Sequence, residues 1–61
     1  VLQLTEQERA VLDATEPSET QIEVIIADCR LPSHTVSTIL LQLEMRHLVK
    51  QFPGKYFAKL I

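Results

Sequence analysis

Residues 33–47 read Ser-His-Thr-Val-Ser-Thr-Ile-Leu-Leu-Gln-Leu-Glu-Met-Arg-His, and their spacing decides the fold. Val36, Ile39, Leu40 and Leu43 recur at helical intervals and make one apolar stripe. At about 100° per residue, Ser37, Thr38, Leu41, Gln42 and Met45 point the other way. Pro32 stops whatever precedes it, because the residue before a proline is pushed out of the helical region. Ser33 is then the expected N-cap, its hydroxyl accepting from an orphan amide of the first turn. The stretch predicts a helix over residues 34–46. It is the candidate recognition helix, and its outward face carries the functional question.

Upstream, Ile22, Ile25, Ile26 and Cys29 fall at i, i+3, i+4 and i+7, so a second helix is predicted over residues 21–29 despite three β-branched side chains. Arg30, Leu31 and Pro32 make a tight turn between the two, which is the helix-turn-helix unit. Thr20 and Glu23 offer a capping box for the second helix; a very short strand at residues 21–22 is the alternative. Earlier still, Thr5 with Glu8 three residues on is another capping box, opening a helix over residues 6–15. Leu4, Val11 and Leu12 supply its buried face, while Ala10 and Ala14 allow close packing. Pro17 and its neighbours break that helix.

Downstream, residues 48–52 and 56–60 read as two short strands. Pro53 and Gly54 supply the turn: proline presets φ at the first central position and glycine accepts positive φ at the second. The order helix, helix, helix, strand, strand is a winged helix-turn-helix, mainly α with a small β-hairpin. The expected core is Val11, Ile22, Ile25, Ile26, Val36, Ile39, Leu40, Leu43 and Leu48.

With 61 residues the chain is one domain, near the lower limit for a core without a staple. Its 23% charged residues are too few and too evenly mixed for a disordered chain. No apolar run approaches the roughly 18 residues of a membrane span. No basic-then-apolar N-terminus reads as a signal peptide. Because it begins at Val1, the chain reads as a piece of a longer protein. Cys29 is the sole cysteine, so an internal disulfide is impossible, which fits a reducing compartment.

The net charge of −2 hides an asymmetry. Residues 1–45 carry eight carboxylates against Arg9 and Arg30, a balance of −6. Residues 46–61 carry Arg46, Lys50, Lys55 and Lys59 and no acid, a balance of +4. An acidic domain is a poor general binder of polyanions, whereas its basic end suits local phosphate contact.

These features together resemble the C-terminal winged-helix domain of the DprA/Smf family, bacterial DNA-processing proteins of natural transformation. The matching residues are Leu4, Thr5, Glu8, Val11 and Leu12 in the first helix, then Ile22, Glu23, Leu31 and Pro32 in the turn motif. Val36, Leu40, Leu41, Leu43, Glu44, Leu48 and Val49 follow, and Pro53, Gly54 and Tyr56 complete the pattern. Three positions depart from it. Arg30 and His47 stand where the family has glycine, at places that favour positive φ and cost other residues about 1 kcal/mol. Lys55 alone separates Pro-Gly from Tyr56, where the family usually has two residues, and a short wing reaches less far into a groove.

The resemblance implies a parent that is a cytoplasmic single-stranded-DNA binder and loader of RecA during DNA uptake and recombination. In that family the main DNA contact belongs to a Rossmann-like domain, and the winged helix is an accessory, non-enzymatic module. The expected partners are DNA, bound weakly, and a protein: RecA, another partner or the parent's own Rossmann-like domain. No membrane, small-molecule substrate or cofactor is expected. The alternative is the duplex-DNA-binding domain of a bacterial winged-helix transcription regulator.

Candidate sites follow. Arg46, Lys50, Lys55 and Lys59 are candidate phosphate contacts; lysines on exposed strands also serve plainly to block edge-to-edge pairing. Ser37, Thr38, Leu41, Gln42 and Met45 form the outward face, for protein or DNA. A major-groove reader normally presents Arg, Lys, Asn or Gln there, so Leu41 and Met45 favour protein. Cys29, His34 and His47 lack the number and spacing of zinc ligands, so no metal site is expected. Ser33 beside His34 has no orienting acid, so no nucleophile is expected either. Phe52, Tyr56 and Phe57 read as core and hairpin packing rather than as base-stacking platforms.

Overall fold

The computed structural model describes residues 3–60. Six elements follow in order: α1 (Glu6–Ala14), β1 (Thr20–Gln21), α2 (Ile22–Cys29), α3 (Ser33–Met45), β2 (Val49–Phe52) and β3 (Tyr56–Lys59). This is the expected winged-helix class, with one strand more than a two-stranded wing.

The capping box of α1 forms as its sequence predicts. Thr5 Oγ1 accepts from the Glu8 amide at 3.1 Å, and Glu8 Oε1 accepts from the Thr5 amide at 2.9 Å. Val11 and Leu12 turn into the core, whereas Ala10 lies exposed and contributes no close packing. At the C-terminal end the buried Thr15 hydroxyl donates to the Val11 carbonyl at 2.9 Å.

The second capping box does not form. Thr20 Oγ1 is turned backwards, accepting from the Glu16 amide at 3.1 Å and donating to the Ser18 carbonyl at 3.0 Å. Its backbone instead enters the sheet, so the short-strand alternative prevails, one residue earlier than expected. Gln21 is the N-cap of α2 without a side-chain bond. The Ile22 amide donates to the Lys55 carbonyl at 3.0 Å, so the wing turn satisfies one of the orphan donors at the helix start.

Arg30 ends α2 in the left-handed region at φ 58°, its amide bonded to the Ile26 carbonyl at 3.0 Å. The chain turns through 111° between α2 and α3. Ser33 is already the first residue of α3, and Pro32 takes the N-cap place that Ser33 was expected to fill. The reason is that the Pro32 carbonyl accepts the first ladder bond, from the Val36 amide at 3.0 Å. No side-chain cap replaces it. No single helix of the described residues is long and apolar enough to cross a membrane.

The far end of α3 closes as a Schellman motif. The Leu48 amide reaches the Leu43 carbonyl at 2.9 Å, and the His47 amide reaches that of Glu44 at 3.0 Å. This closure puts His47 at φ 62°, in the left-handed region expected at this position. Leu43 and Leu48, the hydrophobic pair that accompanies such a closure, are both buried.

The sheet has the order β1-β3-β2 and is antiparallel throughout. Phe57 lies at its centre, paired with Thr20 on one side and Gln51 on the other. The core joins Val11, Leu12, Ile25, Val36, Ile39, Leu40, Leu43, Leu48, Val49 and Phe57. Ile22 and Ile26, expected inside, are only half-buried and pack against its margin.

Candidate interaction surface

The four apolar side chains of the α3 stripe are buried, and the opposite face is open. Ser37, Thr38 and Gln42 are exposed there; Leu41 is 57% exposed and Met45 73%. Thr38 turns its hydroxyl inward to the His34 carbonyl at 2.9 Å, which spends its donor within the helix. Of the polar residues on this face, Ser37 and Gln42 make no side-chain hydrogen bond among the described residues and keep both donor and acceptor free.

Two hollows flank that face. The larger, about 540 Å³, runs between α2, α3 and the wing. Ile22, Ile26, Leu41 and Phe57 supply its apolar surface, and Glu23, Glu44 and Lys55 its charges. The smaller, about 330 Å³, lies on the α1 side, with Thr5, Glu8, His34, Thr38, Ile39 and Gln42 among its walls. Sequence reading missed the larger groove. Ile22 and Ile26 belong to the α2 stripe and read as core; only the placement of the sheet leaves their outer edges open. Glu23 and Glu44 carry no spacing signal that would join them.

The basic residues of the C-terminal end do not converge. Arg46 folds back onto α1: both terminal nitrogens lie 3.4 Å from the Gln3 carbonyl oxygen, and one lies 3.9 Å from Glu8 Oε1. Lys50 and Lys59 sit on strand positions of opposite parity, hence on opposite faces of the sheet. The Lys50 ammonium hangs 5.6 Å from the Phe52 ring centroid, a cation–π contact on the face away from Phe57. Lys59 is half-buried at the end of β3, where its amide bonds the Glu16 carbonyl at 2.8 Å. Lys55 alone reaches the groove, from a turn residue at φ 63°.

The aromatic residues divide between core and hairpin. Phe57 is 6% exposed and central to the core, and Phe52 is half-buried under Lys50. Tyr56 covers the turn. Its ring lies 3.2 Å from where a Cβ at Gly54 would stand, and Gly54 has φ 86°, so two constraints select glycine there. Cys29 packs half-buried against the core with its thiol 3.8 Å from the Ile26 carbonyl. His34 and His47 are both exposed. Among the described residues no group of His, Cys, Asp and Glu is arranged to hold a metal ion.

Neither a curated protein nor a solved structure matches the chain. A family model does, over residues 2–55, from ahead of the α1 cap to the wing turn. The match covers all three helices, both left-handed helix ends and the Pro53-Gly54 turn, so the chain belongs to the DprA winged helix domain family.

Proposed function

We propose that this chain is the accessory, non-enzymatic module of a DprA-like protein, and that it docks protein through the open face of α3. In this reading the parent is a cytoplasmic DNA-processing and RecA-loading protein of DNA uptake and recombination. Its main grip on single-stranded DNA belongs to a Rossmann-like domain outside this chain. The partner of α3 is RecA, another protein or that domain. The module's own contact with DNA is weak.

The observation that carries the reading is the exposure of Leu41 and Met45 beside a groove with apolar walls and two carboxylates. A base edge would gain little from that pair beyond a thymine methyl. Burial against protein is favourable by about 25 cal/mol per Å² of apolar surface, and methionine adapts well to such contacts. The dispersal of Arg46, Lys50, Lys55 and Lys59 supports the same view, since few phosphates meet them from any one direction.

The test is the double variant Leu41→Lys/Met45→Lys. It should keep its fold by circular dichroism, because neither side chain belongs to the core. In the parent protein it should weaken the docking contact while leaving DNA binding unchanged or improved. A variant that folds and keeps every protein contact refutes the reading. Titration with unrelated duplexes at two salt concentrations addresses DNA: each phosphate neutralised adds about 0.9 to the salt slope, so weak, sequence-independent binding that is strongly weakened by salt is expected. Tight binding to one duplex at physiological salt would favour the transcription-regulator alternative.

A further inference from the structure

We propose that the groove between α2, α3 and the wing receives a short segment of another protein that presents apolar side chains next to a lysine or arginine. The proposal rests on the docking reading of α3 and names the chemistry of what docks.

Three observations point to this occupant. The walls from Ile22, Ile26, Leu41 and Phe57 are apolar and come from three separate elements, so the groove is shaped rather than flat. Its volume of about 540 Å³ lies within the roughly 300–1,000 Å³ range of ligand-sized clefts. Glu23 and Glu44 both stand at this groove against the single ammonium of Lys55. Neither carboxylate makes an ion pair among the described residues, and the one pair found there, Arg46 with Glu8, lies on the α1 side. Carboxylates beside apolar surface repel phosphate and acidic peptides. They favour an incoming cation, and complementary charge of this kind selects partner and orientation more than it adds affinity.

A second copy of the chain fits less well. A stable interface needs about 800 Å² from each partner, close to a fifth of the 4182 Å² of surface available here. The groove is the size of a segment, with Leu41 as one wall and Met45 beyond it on the same helix.

Two synthetic peptides of equal length make the probe, one alternating leucine with lysine and the other leucine with glutamate. Binding to the 61-residue chain is read by fluorescence anisotropy. The leucine–lysine peptide is expected to bind, and the leucine–glutamate peptide to bind weaker by about tenfold or more. Glu23→Lys/Glu44→Lys should weaken the leucine–lysine peptide by about tenfold or more, while Asp13→Lys/Glu19→Lys changes net charge equally, outside the groove, and should alter it by less than about twofold. Glu23→Gln/Glu44→Gln, which adds no new charge, decides the matter should the lysine pair unfold the domain. Equal losses in the groove and distant variants, a preference for the glutamate peptide, or no binding of the lysine peptide would overturn the proposal. Loss of binding on Leu41→Lys/Met45→Lys but not on the glutamate replacements would leave the docking reading standing and remove only the preference for a cation. Tight duplex binding by the wild-type chain, displacing the peptide, would remove both.

Discussion

The two flanks of α3 are finished to different degrees. On the α1 side, polar groups answer one another. Glu8 caps Thr5 and lies near Arg46, and Arg46 reaches the Gln3 carbonyl. On the α2 and wing side, apolar side chains are left half-open beside carboxylates with no cationic partner among the described residues. Composition alone does not make this difference, since α3 is a single helix with one buried stripe. The difference comes from what each neighbour brings. The start of α1 brings a capping box with hydrogen-bonding capacity to spare. The start of α2 brings Ile22 and Ile26, and the sheet stops before covering them. Burying an unpaired polar group is costly and leaving an isoleucine edge in water is only mildly so. A flank of the second kind can therefore stay open in the free domain and still gain from a partner.

The largest contrast is expected between two adjacent leucines of α3. Leu40 is fully buried and Leu41 is 57% exposed. Leu40→Ala should cost about 2–5 kcal/mol, enough to unfold much of so small a domain. Leu41→Ala should stay within about 0.5 kcal/mol. Urea or thermal melting of the pair checks both, and similar losses would show that the two faces have been exchanged.

A smaller effect is expected from Thr5→Ala on the finished flank. It removes the acceptor for the Glu8 amide and should cost about 1 kcal/mol by chemical denaturation. Binding of the leucine–lysine peptide should not change, because Thr5 lies on the other side of α3. A loss of peptide binding without a loss of stability would mean that the flanks are coupled.

His47→Gly should act in the opposite sense and by slightly less. Glycine accepts the left-handed conformation of His47 without the Cβ penalty, though it also loosens the unfolded chain, so a net gain of only about 0.5 kcal/mol is expected. The measurement is a rise in melting temperature. An unchanged or lower value would indicate that the imidazole makes a compensating contact.

Local chemistry made much of the fold legible. Thr5 and Glu8 marked the start of α1, the stripe from Val36 to Leu43 set the buried face of α3, and Pro53-Gly54 marked the wing turn. These signals depend on groups within about five residues of one another, so the sequence carries both partners of each interaction in view. The left-handed residues Arg30 and His47, at φ 58° and 62°, were located instead by the family resemblance, which implies glycine at both positions. The exposure of Ser37, Thr38, Leu41, Gln42 and Met45 follows from the same helical period.

The remainder required partners far along the chain. Short-range geometry and hydrophobic period leave few alternatives for the three helices, the cap of α1, the wing turn and the inward face of α3, but they misplaced the caps of α2 and α3. Only the tertiary structure decided that Thr20 pairs with Phe57 instead of capping α2, because a backbone ladder with a strand formed much later in the chain takes up its position. It also turned Arg46 onto Gln3 and Glu8, separated the lysines between sheet faces, and left Ile22 and Ile26 as the wall of a groove. The same apolar stripe is core or groove according to where the sheet ends, and that boundary is fixed by long-range packing rather than by any pattern within α2.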